Sequence, residues 1–382
     1  MAILIVGMLF LQPRDILTGF ILGSKLQTLT QASSAKLPSY PLAVKSPYLS
    51  AWLPGSRAID PPTAQPEFWN GIPLTWPILA RVNGQIYVLF GNPDPISNAA
   101  AAQPAFVSYS SSHTYFQLIA GPANISLDFL SPVLPGKDEY AQQSLPYSYL
   151  TVSASISGSD PVDVQILSGI DQTWTAQNGA AGLNYTTTES SGFFWFNNPN
   201  AIPFTEVNGQ APYGSVVYGA ANDQSTTHSC NSTIHVFDTF ARTGSLNSSD
   251  SGSPCGGHDL AAISQDLGQV GSDARNVTFI VGFEREEVVN YLGQTQTGYH
   301  RTQWPTIPEQ VDYVLQSYDA ILTKSLAFDA DVRSRAEGVS ASFGGQYADI
   351  VEASVRQVFG GMEITVCIDT AYFLLLLCLT AF

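Results

Sequence analysis

Hydrophobic and polar positions alternate along much of the chain, from about Trp76 to Phe283. Asn83-Gly84, between two such runs, is typical of a tight β-hairpin because both central turn positions need positive φ. Short β-branched and aromatic runs separated by Gly, Pro, Asn and Ser are typical of strands. With no amphipathic helices between them, they predict a mainly β fold, a large antiparallel β-sandwich. We predict strands at Trp76–Val82, Gln85–Phe90, Ala105–Tyr109, His113–Ile119, Asn124–Leu130, Tyr147–Ile156, Val162–Leu167, Gly192–Phe196, Gly214–Tyr218 and Val277–Val281.

Helical periodicity begins only near Pro308 and predicts two amphipathic helices. Asp349, Glu352, Arg356 and Gln357 fall largely on the face of the second helix opposite its apolar stripe. Such stripes usually form core, but two helices cannot close a core alone, so we expect both stripes to lack partners. The stripes consist of Val311, Val314, Leu315, Tyr318, Ile321 and Leu322, and of Tyr347, Ile350, Val351, Val355, Val358 and Phe359.

Four consecutive aromatic residues occur at Phe193 to Phe196, and Trp174 and Trp304 add further large rings. Such rings could stack on a sugar. Alternate residues of a strand face opposite sides, however, so at least two of the four must pack inward and the others can contact a neighbouring domain. We therefore predict core or interface packing for this run.

The chain has 382 residues, is 45% hydrophobic and 12% charged, and carries a formal net charge of -16. This length and composition allow two or three domains with a real core. A strongly acidic surface repels phosphate backbones and anionic headgroups, so we expect no nucleic-acid partner and no electrostatic membrane docking.

Several features predict secretion. Five glycosylation sequons begin at Asn124, Asn184, Asn231, Asn247 and Asn276. Residues 1–35 are interpreted as a leader because Ala2 to Leu11 has the length of a signal core, although no basic region precedes it, and Ser33-Ser34-Ala35 suits signal-peptidase cleavage. We expect an extracellular glycoprotein with a signal peptide.

The four cysteines form two pairs of different character. Cys230 and Cys255 flank a polar stretch without the further Cys or His residues of a zinc site, so we predict a disulfide between them. Cys367 and Cys378 lie in an aberrant tail, residues 364–382, whose final 13 residues, Thr370–Phe382, are too few for a stable membrane span and follow no polar spacer.

No catalytic motif is present. The chain has no nucleophile elbow, phosphate loop, zinc motif or dinucleotide fingerprint, and its five histidines show no ligand spacing, so we expect no cofactor and no metal. Asp266, Glu284, Glu286 and Glu287 could supply a general acid and base, but adjacent Glu residues at a strand-to-helix junction are usually solvated or capping groups. The catalytic residues are unknown at this point.

Three stretches carry a family resemblance. The segment from Pro41 to Gly55, with the following hairpin, resembles the mature start of fungal secreted glutaminase A proteins. Leu127 to Ser155 and the later ISQDLGQVGSDARNVTFIVGFEREEVVNYL run resemble landmarks of that family's amino-terminal β domain, in the same order. Ser317 to Gly360 is similar to its linker helix and the start of its six-helical-hairpin toroid.

The resemblance implies a hydrolase that converts L-glutamine, its small-molecule substrate, to L-glutamate and ammonia. It implies a leader at 1–35, a β-sandwich domain at 36–300, a linker helix and first toroid helix at 301–363, and an aberrant tail at 364–382. We expect a fragment, truncated and inactive, whose sandwich packs on the missing toroid. The alternatives are a non-catalytic β-sandwich scaffold and a carbohydrate-active module similar to glycoside hydrolases.

Overall fold

The computed structural model describes residues 32–93, 96–175, 182–198, 200–247, 259–339, 345–367 and 373–377. Two large sheets pack face to face and are flanked by helices, which confirms the prediction of a mainly β, antiparallel sandwich. The predicted leader falls almost entirely outside the described residues, as does much of the apolar tail.

The larger sheet has eight strands, and all its neighbouring pairs are antiparallel. In spatial order it consists of β12 (Gly182–Thr187), β13 (Ser191–Asn197), β14 (Ser215–Ala221), β17 (Arg275–Glu284), β10 (Tyr147–Ile156), β9 (Ala123–Leu130), β8 (His113–Ala120) and β7 (Gln103–Tyr109).

The smaller of the two sheets has six strands and closes the sandwich. Apolar side chains from both sheets meet in one continuous core because the inward-facing residues of each strand alternate with outward-facing ones. In spatial order it consists of β15 (Thr226–Asn231), β16 (Leu260–Val270), β11 (Val162–Ile170), β4 (Ile78–Val82), β5 (Gln85–Phe90) and the short, parallel β6 (Ala100–Ala101).

The Asn83-Gly84 hairpin forms as predicted, since both residues adopt positive φ, 47° and 85°. All ten predicted strands are present with small changes at their ends. The sequence interpretation missed β12, β15 and β16, and it missed a helix, α2 (Thr233–Thr243), that covers the outer face of the six-stranded sheet. A shorter helix, α1 (Tyr140–Ser144), lies between β9 and β10.

Two further small sheets lie beside the sandwich. The first was not predicted and consists of β1 (Ser39–Ser46), β2 (Leu49–Pro54) and β3 (Glu67–Phe68). The second consists of β18 (Val289–Tyr291), β19 (Gln294–Gly298), β20 (Met362–Cys367) and β21 (Phe373–Leu377). Part of the predicted tail is therefore strand, and it pairs with a segment that directly follows β17.

The first predicted helix is two helices, α3 (Ile307–Gln316) and α4 (Tyr318–Val339), which meet at Ser317. Thr306 and Glu309 form a reciprocal capping box that fixes the start of α3. The expectation that this apolar stripe lacks partners is wrong. Val311, Val314 and Ile321 are buried against the outer face of the eight-stranded sheet, among residues that include Tyr147, Tyr149, Val217 and Ile280.

The second predicted helix, α5 (Gln346–Gly360), turns its polar face inward. Glu352 and Arg356 are each only 1% exposed, whereas Ile350 is 65% and Val358 55% exposed. The usual assignment of an apolar stripe to the core is therefore reversed here, because buried hydrogen bonds of Arg356 attach the polar face of α5 to the sandwich, together with apolar packing of Ala353. The expectation of an unpartnered stripe holds in part, since Tyr347, Ile350 and Val358 are exposed but Val351, Val355 and Phe359 are half-buried.

Candidate functional site

A buried carboxylate lies where β17 leaves the sandwich. Glu284, the last residue of β17, is 3% exposed. Its Oε2 lies 2.9 Å from His300 Nε2, and its Oε1 accepts a hydrogen bond of 2.7 Å from Arg301 Nη1. Both partners belong to the short turn of helix that follows β19. After the hairpin that follows β17, the chain thus brings His300 and Arg301 back to the carboxylate at the end of that strand.

This charged cluster also reaches the helices. Gln310 of α3 donates from Nε2 to Glu284 Oε1 at 3.3 Å, and its Oε1 accepts from the hydroxyl of Tyr147 at 3.0 Å. Burial alone would raise the pKa of Glu284, but His300 and Arg301 hold it below its ordinary value. Glu284 is therefore an anion at neutral pH, and it joins β17, the 299–302 turn and α3.

A small cavity of about 30 Å³ adjoins this cluster. Lys45 of β1, Arg285 and Glu363 of β20 line it together with Glu284 and His300. Arg285 is buried and pairs with Glu363, so the four-stranded sheet is attached to the sandwich by an ion pair. Burial would lower the pKa of Arg285, but Glu363 and Tyr213 outweigh that effect and hold it above its ordinary value.

Two polar atoms of this site remain available for chemistry, Lys45 Nζ and His300 Nδ1. Lys45 is 6% exposed, donates to the carbonyl of Pro132 at 2.7 Å, and has a pKa that burial lowers to about 7. His300 Nδ1 is buried and has no hydrogen-bond partner within the described part of the chain. A near-neutral amine beside an imidazole can transfer protons, but the cavity has room for roughly two water molecules and not for a substrate.

A second buried polar cluster attaches α4 and α5 to the sandwich. Arg356 donates to three backbone carbonyls of the sandwich, those of Pro41, Ser110 and His113. Asp329 of α4 accepts hydrogen bonds from the hydroxyls of Ser110 and Ser112. Burial raises the pKa of Asp329 and lowers that of Arg356 to about 10. These hydrogen bonds hold α4 and α5 against the sandwich, although Asp329 Oδ1 and Arg356 Nε have no hydrogen-bond partner among the described residues.

The four carboxylates singled out in the sequence are not brought together. Asp266 is exposed on β16, where it accepts from Gln165 Nε2 and from the amide of Gly268. Glu286 is exposed and Glu287 half-buried, whereas Glu284 is buried. The expectation that adjacent Glu residues are solvated at a strand-to-helix junction is therefore wrong for Glu284, and the segment after it is the β18–β19 hairpin, not a helix.

The aromatic run packs as predicted. Phe194 and Phe196 face the core between the sheets, whereas Phe193 and Trp195 face the helices on the outer side, where Trp304 also packs. Trp174 is buried against Trp76 at a centroid distance of 5.2 Å. None of the four consecutive rings is exposed, so this run forms no sugar-stacking platform.

The predicted modification sites remain predictions. Cys230 is buried on β15, and Cys255 lies outside the described residues, as does Cys378. The side chains of the five sequon asparagines are half-buried or exposed: Asn124, Asn184, Asn231, Asn247 and Asn276. This exposure is compatible with glycosylation at each position.

Membrane-spanning helices and metal clusters are both absent from the part of the chain that the structure describes. No helix in it combines the length and hydrophobicity that crossing a membrane requires. Its His, Cys, Asp and Glu side chains form no group of three or more that could hold a metal ion.

Comparison with known protein families identifies the class of this chain. Residues 112–335, which run from β8 into α4, match the family described as "Domain of unknown function (DUF5127)". This match covers more than half of the chain, and the chain therefore belongs to the DUF5127 family.

Two curated fungal relatives confirm the resemblance to glutaminase A proteins. Glutaminase A of Aspergillus oryzae is 27% identical over 347 residues, which are 87% of this chain and 49% of the relative. A probable glutaminase of Arthroderma benhamiae is 24% identical over 354 residues, which are 84% of this chain and 40% of the relative. The chain therefore spans about half the length of the curated relatives it matches.

The similarity of this chain to solved structures is weak. A putative kojibiose phosphorylase from the human microbiome is 10% identical, with a TM-score of 0.40 over 86% of this chain and 40% of the other. A likeness at this TM-score carries no argument about this chain.

Proposed function

We propose that this chain is the β-sandwich part of a secreted amidohydrolase that releases ammonia from L-glutamine. The observation that carries this proposal is the similarity to Glutaminase A of Aspergillus oryzae over 87% of the chain. The same segments that carry the resemblance build the centre of the fold, since β9, β10 and β17 are neighbours in the larger sheet. The proposal names a substrate class and assigns no catalytic residue.

We propose further that the chain by itself hydrolyses no glutamine. Sites for small molecules usually enclose about 300 to 1,000 Å³, so the cavity of about 30 Å³ beside Glu284 is too small to be one, and the larger cleft of about 450 Å³ near His235 and Asp238 lies away from this charged cluster. The carboxylates of that cavity are already paired, Glu284 with His300 and Arg301 and Glu363 with Arg285. A second, non-catalytic scaffold role is favoured by α5, whose exposed apolar face suits packing by the additional residues of the longer relatives.

A glutamine assay tests both parts of the proposal. Ammonia release from L-glutamine is measured for this chain and for a form extended to the full length of the curated relatives. We expect release by the extended form only. Release by this chain at a comparable rate would contradict the scaffold role, and release by neither form would contradict the glutaminase assignment.

Substrate competition distinguishes the remaining alternative. If the site also accepted sugars, added sugar would inhibit ammonia release in the same assay, whereas a glutamine site would be inhibited by its product, L-glutamate. We expect inhibition by L-glutamate alone, since the aromatic run that could stack on sugars is not exposed.

Secretion and glycosylation are proposed on the five sequons, none of which is buried. Recovery of the chain from the culture medium, with a mass that falls after enzymatic removal of N-linked glycans, would support them. An intracellular chain with the mass of the bare polypeptide would contradict them.

A further inference from the structure

The small cavity beside Glu284 contains an ammonium group without a counter-charge. Lys45 Nζ donates to one backbone carbonyl, that of Pro132, and the side chain is 6% exposed. An ammonium has three donors, and among the described residues no carboxylate pairs with this one. Burying an unpaired charge is costly, so a group that supplies a negative charge here would be bound favourably.

The other charges around the cavity balance without Lys45. Glu363 pairs with Arg285, and Glu284 pairs with Arg301 as well as with His300. Two carboxylates therefore face two guanidinium groups, and the charge of Lys45 is left over. The surplus is one positive charge.

His300 offers a second polar atom. Its Nε2 faces Glu284 at 2.9 Å, and its buried Nδ1 has no partner in the described part of the chain. An imidazole nitrogen takes part in hydrogen bonds, so Nδ1 adds to the polar lining of a cavity that already contains Lys45.

The volume of the cavity limits which ligands it can hold. About 30 Å³ corresponds to roughly two water molecules and excludes amino acids, sugars and phosphate esters. A divalent oxyanion would also exceed the single charge that Lys45 supplies. A halide ion matches both the volume and the charge.

We propose that this cavity is a binding site for one chloride ion, held by Lys45 Nζ in a cavity that His300 also lines. The bound ion would compensate the buried ammonium and thereby strengthen the junction of β1, β17 and the four-stranded sheet. Binding by the folded chain alone raises its stability with ligand concentration. This inference does not depend on the proposed glutaminase activity.

The test is the thermal unfolding of the whole chain in increasing sodium chloride, with sodium gluconate keeping the ionic strength constant. Gluconate is too large to enter the cavity. The constant ionic strength keeps general electrostatic screening the same throughout. At about pH 6, where Lys45 is largely protonated, we expect Tm to rise by ~2–4 °C at saturating chloride.

Two variants decide whether the effect belongs to this cavity. Lys45→Met removes the ammonium but keeps an unbranched apolar stem, and it should abolish the chloride-dependent rise. Lys137→Met removes an exposed ammonium and should leave the rise unchanged. Lys45→Gln, which keeps a donor for the carbonyl of Pro132, replaces Lys45→Met if that variant does not fold.

Equal chloride responses in the native chain and in the Lys45 variant would overturn the proposal, as would the lack of a response in the native chain. Crystals soaked in sodium bromide give an independent measurement, since bromide scatters anomalously and occupies chloride sites. Anomalous density between Lys45 and His300 would support the site. A water molecule there, with bromide only at other positions, would overturn it.

Discussion

At the scale of single residues, the polar face of α5 links protonation to stability. Glu352 is 1% exposed and accepts a 2.7 Å hydrogen bond from Arg333, yet burial raises its pKa from 4.5 to about 7. Because the pKa of Glu352 is higher in the folded chain than in the unfolded chain, the favourable contribution of Glu352 to stability is complete below about pH 4.5. That contribution is lost as the pH rises through about 7.

Glu352→Gln should remove this pH dependence. We expect the variant to be more stable than the native chain above pH 7, by roughly 1–3 kcal/mol, because Gln carries no charge that must be desolvated. The measurement is the free energy of unfolding by urea across the acidic and neutral range. Glu337→Gln removes the other, 52% exposed Glu that pairs with Arg333, and it should change stability by less than about 1 kcal/mol.

Glu284 has the opposite behaviour, because its folded pKa lies below the ordinary value. Its favourable contribution to stability is complete at a pH above its pKa in the unfolded chain, and it is lost as the pH falls through its lower pKa in the folded chain. We expect Glu284→Gln to destabilise the chain at neutral pH by about 3–5 kcal/mol, since Arg301 loses its buried partner. Glu286→Gln, two residues away and exposed, is the matched control. Equal unfolding midpoints in urea for the two variants would contradict this role.

Little of this residue-scale chemistry can be read from the sequence. Glu284 and His300 are 16 positions apart and meet only because the β18–β19 hairpin brings the chain back, so no local spacing reveals the pair. Lys45 reaches the same cavity from β1. The acidic run around Glu284 was visible, but its local sequence could not distinguish a buried carboxylate from solvated ones.

At the scale of elements, the two faces of α5 have distinct roles. Ile350→Gln combined with Val358→Gln should leave Tm within about 1–2 °C of the native value, because both side chains are exposed. The same change should reduce aggregation, since it interrupts an exposed apolar face. Light scattering at rising protein concentration checks this expectation.

Arg356→Leu on the opposite face of α5 is the contrasting variant. It should lower stability by about 3 kcal/mol or more, because the carbonyls of Pro41, Ser110 and His113 lose a buried donor. A loss of stability in the double variant equal to that in Arg356→Leu would contradict the assignment of the two faces.

Strand positions were predictable because the period of two depends only on neighbouring residues, and the Asn83-Gly84 turn fixes its own φ values. The missed strands have weaker patterns. β15 is the polar run Thr226–Asn231, and β16 contains Gln265, Asp266 and Gly268. The orientation of α5 was not predictable, since periodicity identifies two faces but cannot tell which one meets a partner.

At the scale of the whole molecule, α3 and α4 belong physically to the sandwich. A chain ending at Val339 should stay monomeric, although it is less stable without the hydrogen bonds of Arg356, because the apolar contacts of α3 and the start of α4 still cover the larger sheet. A chain ending at Trp304 should aggregate, since it uncovers Tyr147, Tyr149 and Ile280 on the larger sheet. Size-exclusion chromatography of the two forms checks this, and monomers of equal stability would contradict it.

The position of β17 has a consequence for biosynthesis. β17 lies between β14 and β10 in the eight-stranded sheet, although it is the last of these eight strands to leave the ribosome. Until Arg275–Glu284 emerges, β14 and β10 each present an unpaired edge, and such edges recruit other chains. The two halves of the sheet are then joined by their central strand, a non-local step that is slow in folding. Nascent chains arrested before residue 275 should therefore depend on chaperones more than those that have released β17 together with α3 and α4.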